Sequence, residues 1–184
     1  MALRYREDKA TQAAARLLRL AGGRMNHMKL VKLLYFADRR AILQWGRPIT
    51  FDWYVSMPHG PVLSFTLDKI NDTPPPDGSS YWHRIISERK DNEVCLIAEV
   101  PPSDQLSPAE EQLLDAIYSE YGGLNQWEIR DLSHELPEWR DPNGSSVPID
   151  IRDILLGEGL SEEDVKEVED ALRAEELADQ LLSE

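Results

Sequence analysis

KLVKLLYFADRRAILQWGRPITFDWYVSMPHGPVLSFTLDKIN, residues 29–71, decides the fold, because it runs an apolar helix into a turn, an alternating segment and a Gly-Pro pair. Leu30, Leu33, Leu34, Ala37 and Ala41 recur at spacings of three and four, which predicts one helical face, while Lys29, Lys32, Arg39 and Arg40 fall on the other side. Val31, Tyr35 and Phe36 widen the apolar surface enough to make this the central buried helix, capped near Asn26 and ended by Gly46. After the Gly46-Arg47-Pro48 turn, Phe51, Trp53, Val55 and Met57 alternate with Asp52, Tyr54 and Ser56. That period of two predicts a strand with one buried face, and leaves Tyr54 as the aromatic expected to meet water or a partner. Gly60-Pro61 reads as a helix start, with Gly60 as cap, Pro61 in the first turn and Leu63, Leu67 and Ile70 inward.

Working outward, the spacing predicts an amphipathic helix over about Asp8–Ala21, stopped by Gly22-Gly23. Tyr81–Ile86 and Val94–Val100 read as a hairpin to which Phe51–Met57 adds a third strand, since two strands alone are marginal. Ser107-Pro108-Ala109-Glu110 is a capping-box helix start, and shorter helices are expected over Asn125–His134 and Asp150–Leu156, with an irregular loop through Pro142-Asn143-Gly144. Ser161-Glu162-Glu163-Asp164 opens an acidic final helix with a narrow seam of Val165, Val168, Leu172, Ala178 and Leu181. The expected class is α+β, mainly α-helical, with a helical core beside a small antiparallel sheet. Residues 1–157 are read as the domain and 158–184 as an acidic helix appended to it.

A chain of 184 residues with 41% apolar and 29% charged residues describes an ordinary soluble domain, with no apolar run near the length of a membrane span. A single cysteine, Cys95, rules out an internal disulfide and points to a small buried residue in a cytoplasmic protein. Charge is two-ended: residues 1–90 hold 15 basic and 8 acidic side chains, residues 91–184 hold 5 and 26. The basic end could meet nucleic acid or an acidic partner, or could simply be a solvated surface; the net charge of -14 opposes sequence-specific DNA binding.

Catalytic and cofactor signatures are absent. His27, His83 and His134 have no metal-ligand spacing, and the chain has no Gly-x-Ser-x-Gly elbow, dinucleotide fingerprint or phosphate loop. His59, between Asp52 and Ser64, allows a triad to be imagined, and a hydrolase using His59 or His134 is one alternative; as a structural residue, His59 would fix the corner after the strand. No enzyme activity, cofactor or metal is expected. Most of the five tryptophans are expected in the core.

Three elements carry a resemblance: the Lys29–Asp38 run, Gly46-Arg47-Pro48-Ile49-Thr50, and Met57-Pro58-His59-Gly60-Pro61-Val62 with Ser64 after it. Together with Asp131-Leu132-Ser133-His134 and Trp139, they resemble the Panacea domain, the SocA-like antitoxin family also found in phage-associated proteins. The likeness reaches from about Ala10 to about Leu155 and excludes the acidic tail. It implies an antitoxin that neutralises a cognate toxin by direct contact, with delivery to a cellular protease as one route. A phage-associated or DNA-binding regulator using the basic N-terminal helices is the other reading. Lys32, Tyr35, Asp38, Tyr54, His59 and Trp139 are the surface or motif candidates, and Gly46, Pro48, Gly60 and Pro61 the backbone determinants.

Overall fold

The computed structural model describes residues 4–99 and 101–182; Val100, the expected end of one strand, and residues 1–3 and 183–184 lie outside them. Among the described residues, eight helices surround two small antiparallel sheets. Helix α1 (Glu7–Leu20) is followed by β1 (Arg24–Asn26) and the long α2 (His27–Trp45). Asn26 caps α2 by accepting from Met28 and Lys29, and Gly46 ends it at φ 70°, a left-handed conformation that suits glycine. As expected, α2 is the centre of the core: Leu30, Leu33, Leu34, Ala37 and Ala41 are all buried.

The segment after α2 departs from expectation in two ways. Gly60-Pro61 does not start a helix; β2 (Tyr54–Met57) turns through Pro58-His59 into β3 (Gly60–Leu63), and α3 (Ser64–Asn71) begins only afterwards. Gly60, at φ 90°, closes the hairpin, and Pro61 is tolerated because β3 is an edge strand. The cap for α3 comes from across the chain: Asp52 accepts from the Phe65 and Thr66 amides at 2.9 and 3.0 Å and from the Thr66 hydroxyl at 2.6 Å. Nor does β2 turn the expected set inward: Tyr54 and Ser56 are buried, with Asp52 just before them, whereas Trp53 is exposed and Phe51 and Met57 are half-buried. β2 lies between β3 and β5 (Val147–Ile149), and Val55 is buried too. β5 lies between the expected Pro142-Asn143-Gly144 loop and the helix from Asp150, where the sequence predicts no strand.

Tyr81–Ile86 is also not a strand. Ser80 accepts from His83, and Glu7 of α1 accepts from the Trp82 amide at 3.1 Å, so this segment is capped as the short helix α4 (Tyr81–Ile85). Its expected partner survives as β4 (Glu93–Cys95), paired with β1, and two isolated bridges, Ile86–Leu96 and Lys90–Glu93, are what remains of the hairpin. Cys95 is half-buried. The remaining helices match their caps. α5 (Pro108–Tyr121) has the Ser107/Glu110 box, α6 (Gln126–His134) an Asn125/Glu128 box, and at the start of α7 (Ile151–Gly157) Asp153 accepts from the Asp150 amide at 2.9 Å. In α8 (Glu162–Leu182), Val165 and Leu172 are buried, whereas Leu181 is exposed. No helix is long and apolar enough to cross a membrane among the described residues.

Part of the two-ended charge is matched inside the molecule. Lys9 of α1 meets Glu110 at 2.7 Å, Arg16 grips Asp115 at 2.7 Å, and Arg40 of α2 reaches Glu120 at 2.6 Å, so α5 supplies the counter-charges of α1 and α2. Only one tryptophan, Trp82, is wholly buried; Trp45, Trp53 and Trp127 are exposed and Trp139 is half-buried.

Asp38 fixes how the chain leaves α2. Its carboxylate accepts from the Ile49 and Thr50 amides at 2.9 and 3.1 Å, from the Tyr54 hydroxyl at 2.9 Å, and from the Thr50 hydroxyl. Full burial pushes it up to about 6, against those hydrogen bonds, which favour the carboxylate. Asp38→Ala would leave several buried donors unpaired, and is expected to cost at least ~3 kcal/mol in urea unfolding. A loss under ~1 kcal/mol would mean that the turn is held by other contacts.

Candidate functional site

One side of α2 carries Lys32, Tyr35, Asp38 and Arg39, whose polar groups reach β3, the loop after α6 and the turn after α2, with Tyr35 and Arg39 sharing one carboxylate. Lys32 is 1% exposed, and its Nζ donates to the Pro61 carbonyl on β3 at 2.6 Å. The Tyr35 hydroxyl donates to Glu138 at 2.8 Å, and Arg39 donates to the same carboxylate at 2.8 Å and also reaches Glu158. Tyr35 and Tyr54 meet edge to face at 5.7 Å. Trp139 stacks on His134 with ring centroids 4.1 Å apart and donates its indole N–H to the Met57 carbonyl at 3.2 Å. Next to it the Arg140 amide donates to the Ser56 hydroxyl.

Lys32, Tyr35, Asp38, Tyr54 and Trp139 therefore come together, but as an internal seam between α2, the β2–β3 hairpin and the end of α6. This corrects the expectation of surface roles, most clearly for Tyr54, which is 3% exposed and bonded to Asp38. Gly46 ends α2 and Pro48 is buried in the following turn. Gly60 sits where α2 and α6 meet the hairpin. A Cβ there would stand 2.7 Å from Lys32 Nζ and 3.2 Å from the His134 ring, and closer still to the Ser133 hydroxyl.

The seam reaches the surface at the hairpin tip. His59 is exposed there with its ring 6.4 Å from that of Trp127, on the first turn of α6. Trp127 is 49% exposed, and the Arg130 guanidinium lies over its ring at 5.0 Å. His59 and Trp127, with the Arg130 guanidinium that also pairs with Asp131, therefore form an aromatic patch on a base fixed by Lys32, Ser133 and Trp139. The patch has no nucleophile and base in hydrogen-bond contact. The Asp52 carboxylate is engaged with α3, and the buried Nε2 of His134 has no hydrogen-bond partner among the described residues. Burial holds His134 below its ordinary value, and the neighbouring Lys32 and Arg130 charges push the same way.

Glu138 and Trp127 escaped the sequence reading of the site. Glu138 sits in a short polar stretch with no periodicity, and its burial follows only from the Tyr35 and Arg39 side chains that converge on it. Trp127 was legible as an aromatic on a capped helix, but not its exposure.

Two consequences are measurable. Gly60→Ala forces a strained φ and a collision with Ser133 and Lys32, and is expected to cost roughly 2–4 kcal/mol in urea unfolding; a neutral effect would contradict this packing. Burial lowers Lys32 from 10.5 to about 7. Between those values the unfolded chain binds more proton than the folded one, so stability rises with pH across that window and is lowest where folded Lys32 is charged. The stability of the wild type relative to Lys32→Met should therefore climb from about pH 7 to pH 10, by at most ~1.4 kcal/mol per unit. A flat difference would show Lys32 to be solvated.

Residues 30–140, more than half of the chain and the span that contains the whole seam, match the family model described as Antitoxin SocA-like, Panacea domain. No curated protein and no solved structure matches the chain. The match, together with a seam built from the motif residues themselves, shows that this chain belongs to the SocA-like antitoxin family of Panacea-domain proteins.

Proposed function

We propose that this chain is a protein-binding antitoxin, acting without catalysis, that neutralises a cognate toxin by direct contact at the hairpin tip and the outer face of α6. Trp127 carries the reading: a 49% exposed indole held between His59 and Arg130, inside a domain of an antitoxin family. Tryptophan and arginine are the side chains that most often anchor protein contacts, and a rigid base lets them bind without a large ordering cost. Leu132, 37% exposed on the same helix, adds apolar area.

The basic helices support protein contact over nucleic acid, because Lys9, Arg16, Arg39 and Arg40 are tied into ion pairs with acidic residues of this chain. Neutralisation would proceed by occlusion of the toxin, or by handing it to a cellular protease. These routes differ in whether the toxin persists.

Co-expression with the product of the adjacent gene tests the reading, scored by growth, co-purification and toxin half-life. Rescue with a stable complex is expected, and Trp127→Ala should weaken that complex by about 2 kcal/mol, roughly 30-fold, while leaving the fold intact by circular dichroism. Full rescue and undiminished co-purification by Trp127→Ala would remove the hairpin-tip surface from the proposal. A toxin that disappears faster in the presence of this chain would assign the protease route.

A further inference from the structure

Helix α8 lies beyond the residues that match the family. Over Glu162–Leu182 it has nine acidic and two basic residues. Some of that charge is internally matched. Arg152 of α7 pairs with Glu162 and, at 3.6 Å, with Glu169; Arg173 pairs with Asp170; Asp164 bonds Ser161 as part of the helix cap. Glu167 and Glu175 are exposed and meet no cation among the described residues. They stand eight positions apart, just over two turns, on one side of the helix.

That side faces a groove. Where α2 ends, the exposed indole of Trp45 and the Gly46 turn stand opposite α8 and enclose a cleft of about 390 Å³. Val168, Ala171 and Leu172 give it an apolar floor, and Glu167 and Glu175 line it, with Asp164 at one end. Arg47 also borders the cleft, but its guanidinium is drawn to Glu110 at 3.3 Å. The cleft on the other flank of α8, beside Trp53, differs in chemistry: Arg152, Glu169 and Arg173 line it, and all three take part in ion pairs.

We propose that the Trp45–α8 groove is a docking site for a basic amphipathic segment of a protein partner, one with Arg or Lys on either side of an apolar residue. The apolar residue would cover Val168 and Leu172, the cations would meet Glu167 and Glu175, and a guanidinium would lie on the open face of Trp45. Charge complementarity selects this occupant. An acidic or neutral segment would leave two carboxylates unmatched beside a desolvated floor, whereas a basic one neutralises them. The groove stands apart from the hairpin-tip surface and does not rest on the antitoxin reading.

The test uses the full chain and a fluorescein-labelled synthetic peptide with Arg at every third or fourth position and Leu between, with an all-Glu counterpart as control. Anisotropy at low salt should report binding of the Arg peptide alone, weakening as salt rises. Glu167→Lys with Glu175→Lys is expected to weaken it at least ~tenfold. Glu163→Lys with Asp170→Lys makes the same change in net charge at two α8 positions that do not line the groove and should keep most of the affinity. Trp45→Ala, which alters no charge, should weaken binding about three- to tenfold, in line with the loss of a cation–π contact. Equal loss in both charge-reversed variants would reduce the attraction to net charge and overturn the proposal. So would full affinity in Trp45→Ala, or failure of the wild type to bind the peptide. Concentration-dependent dimers that Glu167→Lys with Glu175→Lys dissolves would overturn it too, by assigning the groove to a second copy of the chain.

Discussion

A helix buried on both sides cannot leave polar side chains unsatisfied, and that constraint organises this molecule. Lys32, Tyr35, Asp38 and Arg39 lie on the flank of α2 opposite its leucines. Each finds its partner in a segment distant in sequence: the Pro61 carbonyl, Glu138, and the Ile49–Tyr54 turn. The sheet, the end of α6 and the loop to Trp139 are thus docked onto α2 by buried hydrogen bonds as well as by apolar area. This explains why the motif comes in two pieces. Residues 29–64 supply the helix and hairpin, and residues 131–139 supply the strut that closes over them.

That arrangement gives the hairpin tip its character. A two-residue turn on an edge strand would ordinarily be among the more mobile parts of a small sheet. Here Gly60 packs against Lys32, Ser133 and His134, and Trp139 holds the Met57 carbonyl, so His59 and Trp127 are presented from a fixed support. Charge is partitioned in the same spirit. The acids of α5 are spent on Lys9, Arg16 and Arg40, whereas α8, with nine acidic and two basic residues, keeps a net charge of -7.

Where a neighbouring side chain decides a helix start, the sequence was readable. Asn26, Ser107 and Asn125 each accept from the amides of the helix they open, and Gly46 ends α2 in the left-handed region. The misread segments are those whose caps and partners come from elsewhere in the chain. α3 is capped by Asp52 and α4 by Glu7 as well as Ser80, so neither start could be placed from neighbouring residues alone. Likewise the alternation over Phe51–Met57 predicts one wet face only if one face of the strand is left uncovered. The Tyr54 face of β2 is instead covered by α2, where its ring meets Tyr35 and its hydroxyl meets Asp38.

The sequence by itself determined the class, the central helix, most helix boundaries and the family motif, because periodicity and capping act over a few residues and the motif is linear. Only the tertiary structure decided that most of the motif's polar residues face inward, that Lys9, Arg16, Arg39 and Arg40 pair with acids from the second half of the chain, and that Trp127 and Trp45 remain exposed. Burial and charge pairing depend on which distant segments meet, and that is set by the packing around α2 rather than by any local pattern.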